Sequence, residues 1–425
     1  MYTPDDYEYI LLEDGTAEIS RYIGHANDLV IPAALDGYAV TSIGIGAFSC
    51  RSSLTSVVIP DSVKRLWQIA FKGCTSLTSV SIPGSIGVIS YGAFESCTSL
   101  TTVHMTAGIT EIYDAAFENC TSLTSIVLPD GITTIGKHAF ADCACLTHIE
   151  LPDSLKEIGA GAFSGCSAMA SIRIPRGVTG FDYSTFHGCT SLATVTLPDR
   201  FYIIGDRAFE DCTSLVSINL PDTIFSIGED AFNNCCSLPK INIPVDVTII
   251  EDGAFSYCES LRFVDLPSGI THIGNYAFNN NISLTGIRIP DGVVSIGNHA
   301  FEDCEVLSSI TIPVSVQEIG KYAFSGCESL TSIYLPHRIT SIHNGTFMGC
   351  RGLTSITLPG CVQEIGEYAF FDCNSLTDIT LPACVTSIGE HAFLECPNLT
   401  LTVSPGSYAE QYCRENSIPY TYPAV

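Results

Sequence analysis

Sixteen phenylalanines stand 23 residues apart, from Phe48 to Phe393, with no insertion anywhere between them. Each is the end of the same phrase, which at Thr285 to Phe301 reads TGIRIPDGVVSIGNHAF. A fixed period of this size is the mark of a solenoid, in which one short unit is stacked on copies of itself. The 425-residue length would otherwise suggest two or three globular domains. The period overrides that expectation and predicts one continuous domain built of coils.

Counted from each Phe, position +3 is usually Cys, +6 Leu, +9 and +11 aliphatic, and +12 Pro. Then +15 is Val or Ile, +18 Ile, +19 often Gly, and +22 Ala before the next Phe. Ile310 and Ile312 alternate around Thr311, which is strand periodicity with Thr311 facing solvent. Pro313 has no N–H and a fixed φ, so it closes that strand and turns the chain. Val316 to Ile319 is short and reads as a second strand. The Gly-x-x-Ala-Phe-x-x-Cys segment spaces apolar residues at three and four, which predicts about one helical turn. The expected fold is thus a β-rich α/β solenoid of sixteen coils, each with a strand of a parallel sheet, a short second strand and a one-turn helix.

Both ends need caps, because a terminal coil exposes an apolar face and an unpaired sheet edge. Residues 1–47 are expected to hold an N-terminal cap and a first irregular unit. Within them, Tyr7–Leu12 and Ala17–Ile23 flank Asp14-Gly15, a strong hairpin signal. The regular solenoid is expected over 48–403 and a C-terminal cap over 404–425. Ser407-x-x-Glu410 is a capping-box pattern that predicts a helix from Tyr408 to about Asn416, covering the last coil with Tyr408 and Tyr412.

The unit LTSIxLPxxVxSIGxxAFxxC resembles the leucine-rich repeats of BspA-like, or Treponema pallidum-type, proteins, and the match runs from about Tyr7 to Tyr420. The resemblance implies a leucine-rich-repeat solenoid with a parallel sheet on one face. It further implies binding or adhesion at a bacterial cell surface or in secreted form, with no catalytic residues to carry over. Departures are local, among them Thr106 at a Pro position, Asn281 and Arg51 at Cys positions, and Trp67, Tyr113, Asp182 and His343 at the Gly position.

Charge narrows the partners. The formal net charge is −27, from 45 acidic and 18 basic residues, with no basic stripe to offset it. Nucleic acid and anionic membrane are therefore not expected as partners. A monomer is expected. No run approaches the roughly 18 apolar residues of a membrane span. The opening MYTPDDYEYI carries acids where a secretory leader would be basic, so no leader is expected within this chain.

Fourteen of the 20 cysteines occupy the +3 position. One thiol per coil, with no C-x-x-C pair, predicts a line of buried structural thiols and neither a metal site nor disulfides. Any reactive thiol would be among Cys50, Cys145, Cys236, Cys361, Cys384 and Cys413. Acids gather after the Pro (Asp130, Asp153, Asp222, Asp291) and after the Phe (Glu95, Glu118, Glu210, Asp211, Glu302, Asp303). They read as a solubilising rim in preference to a cation-binding ridge, because most lack a second close carboxylate. No catalytic motif occurs, so no enzyme, metal or cofactor is expected.

The best functional hint is where monotony breaks. Exposed strand positions are mostly Ser or Thr, yet between about residues 148 and 334 they become His148, Glu150, Arg173, Asn219, Lys240, Asn242, Arg262, Phe263, Asp265, Arg288 and Tyr334. A second, apolar patch is expected from Tyr202, Ile203, Phe225 and Ile249 on the short strands. Aromatic and Arg residues on an extended sheet face predict a non-enzymatic module that binds a protein or a glycan. The rival expectation is a spacer or scaffold without a specific ligand.

Overall fold

The structure is a computed structural model that describes residues 4–423; residues 1–3 and 424–425 of the two expected caps lie outside it. The chain falls into two units, Met1–Pro221 and Asp222–Val425.

The first unit opens on the expected hairpin. Tyr7–Leu11 pairs antiparallel with Ala17–Tyr22, which then pairs in parallel with Tyr38–Ile43. From there the coils stack in parallel register. Asp28–Val30, Ser56–Val58, Ser79–Ile82 and Thr102–Met105 form one ladder of first strands. Val88–Ile89, Glu111–Ile112, Thr134–Ile135 and Glu157–Ile158 form a ladder of second strands. Inside, the Phe side chains are fully buried and form a column from Phe48 to Phe209, with centroids 4.8–5.7 Å apart. Tyr22 continues that column into the hairpin, stacking on Phe48 at 5.3 Å. Trp67, standing in a Gly position, donates its Nε1–H to Glu18, and Ser42 donates to the same carboxylate. The cap is thereby tied to the first regular coil.

Two places in this unit depart from monotony. The first-strand ladder breaks between Thr102–Met105 and Ser125–Val127, and again between His148–Glu150 and Ser171–Arg173. At this second junction the second-strand ladder stops after Glu157–Ile158, and the next pairing is a single bridge, Gly180 with Ile203. Phe181 and Phe201 add two rings to the core here, where neighbouring coils carry Ile158, Ile204, Val178 and Ile224. They meet each other at 4.7 Å and Phe181 also meets Phe186 and Phe209 edge-on. Added core volume of this kind pushes strands apart.

The second unit carries nine strands in one sheet, running from Lys240–Asn242 through Thr400–Thr402 to Tyr420–Thr421. Its Phe column runs from Phe232 to Phe393 at 5.5–5.8 Å. The expected helix is present as Tyr408–Glu415, with Ser407 Oγ accepting from Glu410 N–H at 3.2 Å. The returning arm of the cap differs: Glu410 accepts from Gly406 N–H, one residue earlier than a capping box requires. Tyr412 packs edge-on against Phe393, whereas Tyr408 stays exposed, so Ala409 and Cys413 do the covering expected of it.

Glu410 is only 5% exposed and also holds Tyr422 Oη and Arg414. Hydrogen bonds from Gly406 N–H and Tyr422, aided by Arg414, hold its carboxyl below the ordinary value of 4.5. A depressed pKa contributes stability that is present above the ordinary range and lost as pH falls through the folded value. Wild type is therefore expected to melt at higher temperature than Glu410→Gln at neutral pH. The two melting temperatures should converge as the solution is acidified, and a gap that stays constant with pH would contradict the assignment.

The one-turn helices are not formed. In residues 136–143, alternate N–H groups point in different directions. Ala139, Ala141 and Cys143 donate back three residues, while His138, Phe140 and Asp142 donate to Ala160, Ala162 and Ser164 of the next coil. His138 and Asp142 sit at φ 53° and 58°. The same two positions are left-handed in the other coils, for example His299 and Asp303, both at φ 56°. The segment is a chain of overlapping turns that makes a third inter-coil ladder. A helix would keep all these N–H groups to itself, so the spacing of three and four is met by turns that also bind the neighbour.

Candidate functional site

The column positions of the coils decide which exposed side chains meet. In the second unit Lys240, Phe263 and Gly286 are register partners, as are Asn242, Asp265 and Arg288. Arg262 precedes Phe263 and is exposed. Six of the expected residues are thus gathered on three adjacent strands, about 4.8 Å apart. Phe263 is 53% exposed, and Gly286 beside it has open space where a side chain would stand. Tyr334, 64% exposed, is in the Arg288 column but separated from it by Thr311. Among the described residues Lys240, Arg262 and Arg288 have no ion-pair partner. Three free cations against one Asp265 make this a basic island on an acidic chain.

The remaining strand residues lie in the first unit, where His148, Glu150 and Arg173 line one pocket and Asn219 is not among its residues. His148 is 3.6 Å from Glu150 on its own strand. Arg173, on the next first strand, is engaged by Asp153 at 3.1 Å. Asn219 follows Ser217–Ile218, two coils further on. Of the expected apolar patch, Tyr202 and Ile203 lie in the first unit and Phe225 and Ile249 in the second, and all four are exposed.

Tyr202 and Ile203 belong instead to a trough of about 850 Å³ in the first unit, opening over the interrupted second-strand ladder. Tyr91 and Tyr113 line one end and Tyr183 and Tyr202 the other, all between 37% and 47% exposed. Gly136, Gly159 and Gly180 lie between, with Lys137, Lys156, Glu157, Asp182 and Asp206 around them. Sequence reasoning missed most of these residues. Tyr113 and Asp182 were visible as departures at the Gly position, but only stacking brings them near Tyr91 and Tyr183.

The cysteine ladder is a structural device. Cys Sγ donates to the Phe carbonyl 26 residues earlier, as in Cys304 to Phe278 at 3.3 Å and Cys327 to Phe301 at 3.2 Å. Burial pushes Cys120, Cys189 and Cys350 up to about 12, which keeps them neutral thiols. Off the ladder, Cys50 and Cys145 are exposed, Cys236, Cys361 and Cys384 half-buried, and Cys413 buried. Among the turn acids, burial, with Glu302 and Glu328 nearby, raises Asp303 above the ordinary carboxyl value. Among the described residues no three His, Cys, Asp or Glu could hold a metal ion, and no helix is long and apolar enough to cross a membrane.

Stacked 23-residue coils with a parallel sheet and a buried Phe and Cys ladder define a leucine-rich-repeat solenoid, a fold class that is generally non-enzymatic and typically built for protein interaction. The chain belongs to the BspA-type leucine-rich repeat family, whose six-copy model matches residues 41–170, 110–235, 179–306 and 271–400. A leucine-rich repeat protein from Bacteroides ovatus is similar over 100% of both chains, with 28% identity and a TM-score of 0.71. A leucine-rich cell surface protein from Faecalibacterium prausnitzii is 29% identical over 98% of this chain and 97% of its own, at a TM-score of 0.46. The T. pallidum leucine-rich repeat protein is 33% identical over 50% of this chain and 88% of its own, at a TM-score of 0.39. No curated protein matches the sequence.

Proposed function

We propose that the chain is a non-enzymatic binding and adhesion module that docks a protein partner on the strand face around Phe263, in the bacterial cell-surface setting its family resemblance implies. The observation that carries this reading is the basic island. Lys240, Arg262 and Arg288 lack ion-pair partners and surround an exposed aromatic ring, in a chain of net charge −27. Arg and aromatic anchors dominate interface energetics, and the sign of the island selects a partner with an acidic patch.

The test measures binding to immobilised extracellular matrix proteins by wild type and by the combined Arg262→Ser, Phe263→Ser, Arg288→Ser variant. A loss on the order of tenfold or more, at an unchanged melting temperature, is expected. Full retention of binding by the triple variant would place the docking surface elsewhere. A wild-type chain that binds none of them would favour a spacer.

A further inference from the structure

We propose that the tyrosine-lined trough of the first unit is a second, separate binding site, and that its ligand is a short, neutral oligosaccharide. Its volume of about 850 Å³ lies within the roughly 300–1,000 Å³ of small-molecule sites. Tyr113 and Tyr183 stand three coils apart, about 15 Å at the inter-coil spacing. That span suits an extended oligomeric ligand and is too long for a single small ring.

The floor is kept bare by geometry. A Cβ at Gly136 would fall 2.5 Å from Asp114 N, and one at Gly159 would fall 2.7 Å from Lys137 N. Gly180 carries no side chain where Glu157 and Ile203 carry one in the adjoining coils, and a Cβ there would stand 3.2 Å from Ile203 O. At one end the platform is held still: Arg207 donates to Tyr183 Oη at 3.2 Å, and its guanidinium lies 5.8 Å over the ring. A fixed aromatic face avoids the ordering cost of binding.

The polar groups select the ligand class. Lys137 and Lys156 offer donors, and Glu157, Asp182 and Asp206 offer acceptors, around rings that accept the apolar face of a sugar. A hydroxyl both donates and accepts, so it is served by such a mixture. Asp114 already accepts from Lys137 N–H and Asp182 from Tyr183 N–H, each at 2.8 Å. Cations are not in excess, so an anionic sugar has no anchor. Peptide docking by strand addition is disfavoured too, since the open edge Glu157–Ile158 is only two residues long.

Calorimetric titration of the full chain with maltotriose, cellotriose and chitotriose tests the site. At least one trisaccharide is expected to bind. Tyr113→Ala and Tyr183→Ala should each weaken it at least tenfold, Tyr113→Phe should retain it, and Gly180→Leu should block it by placing a side chain in the slot. The triple variant at Arg262, Phe263 and Arg288 should bind the sugar normally, which separates this site from the strand face. The proposal is overturned if no trisaccharide binds wild type, if a blocked neutral tetrapeptide binds in their place, or if binding survives both alanine substitutions.

Discussion

Phe301→Ala is expected to lower the unfolding free energy by about 3–5 kcal/mol, the range for deleting a buried aromatic ring. Phe301 is fully buried and stacks at 5.5 Å on Phe278 on one side and on Phe324 on the other. Its N–H donates to Ala323 O, and its own carbonyl accepts from Cys327 Sγ. The neighbouring backbones are therefore pinned and cannot collapse into the space the ring leaves. Ala also removes two ring contacts that no other side chain in the coil can replace. Urea denaturation of wild type and variant gives the number. A loss below about 1 kcal/mol would mean the column is not what holds adjacent coils together.

Asn281 is the one member of the regular thiol ladder in the second unit that is not cysteine, and its two kinds of replacement should diverge. Its Nδ2 donates to Phe255 O at 2.9 Å, in the place of the thiols above and below it. Asn281→Val removes that donor and leaves a buried carbonyl without a partner, a cost of about 1–3 kcal/mol. Asn281→Cys restores the Sγ donor. It also removes Asn281 Oδ1, which is buried without a hydrogen bond. Cys is therefore expected to match or exceed wild type in chemical denaturation while Val falls below it. Equal stabilities for Val and Cys would show that the ladder contributes packing alone.

The architecture was legible because its signals are local and repeated. Alternation at Ile310 and Ile312, the Pro that follows and the hairpin around Asp14-Gly15 each specify backbone conformation within a few residues. The turn segment was not, because overlapping turns and a helical turn place Ala, Phe and Cys at the same spacing. What separates them is the left-handed backbone at residues such as His138 and Asp142, and neither residue type demands it. The strand-face island could be read because its members share one position in successive coils. The trough could not be, since Tyr91 and Tyr202 are 111 residues apart and occupy different columns. Gly180 is harder still: it matters through a side chain that is missing.

The double interruption between residues 148–158 and 171–181 bears on how the first unit comes apart. Where stability is a chain of nearest-neighbour terms, the weakest term decides which blocks melt together. Here the gap in both strand ladders is spanned by turn bonds such as those from His138, Phe140 and Asp142, by Ala168 N–H on Ala144 O and the Cys166 thiol on Phe140 O, by the 5.7 Å contact of Phe140 with Phe163, and by the Arg173–Asp153 pair. Breathing motions therefore start at this seam, and the coils before it hold or yield as a block of their own.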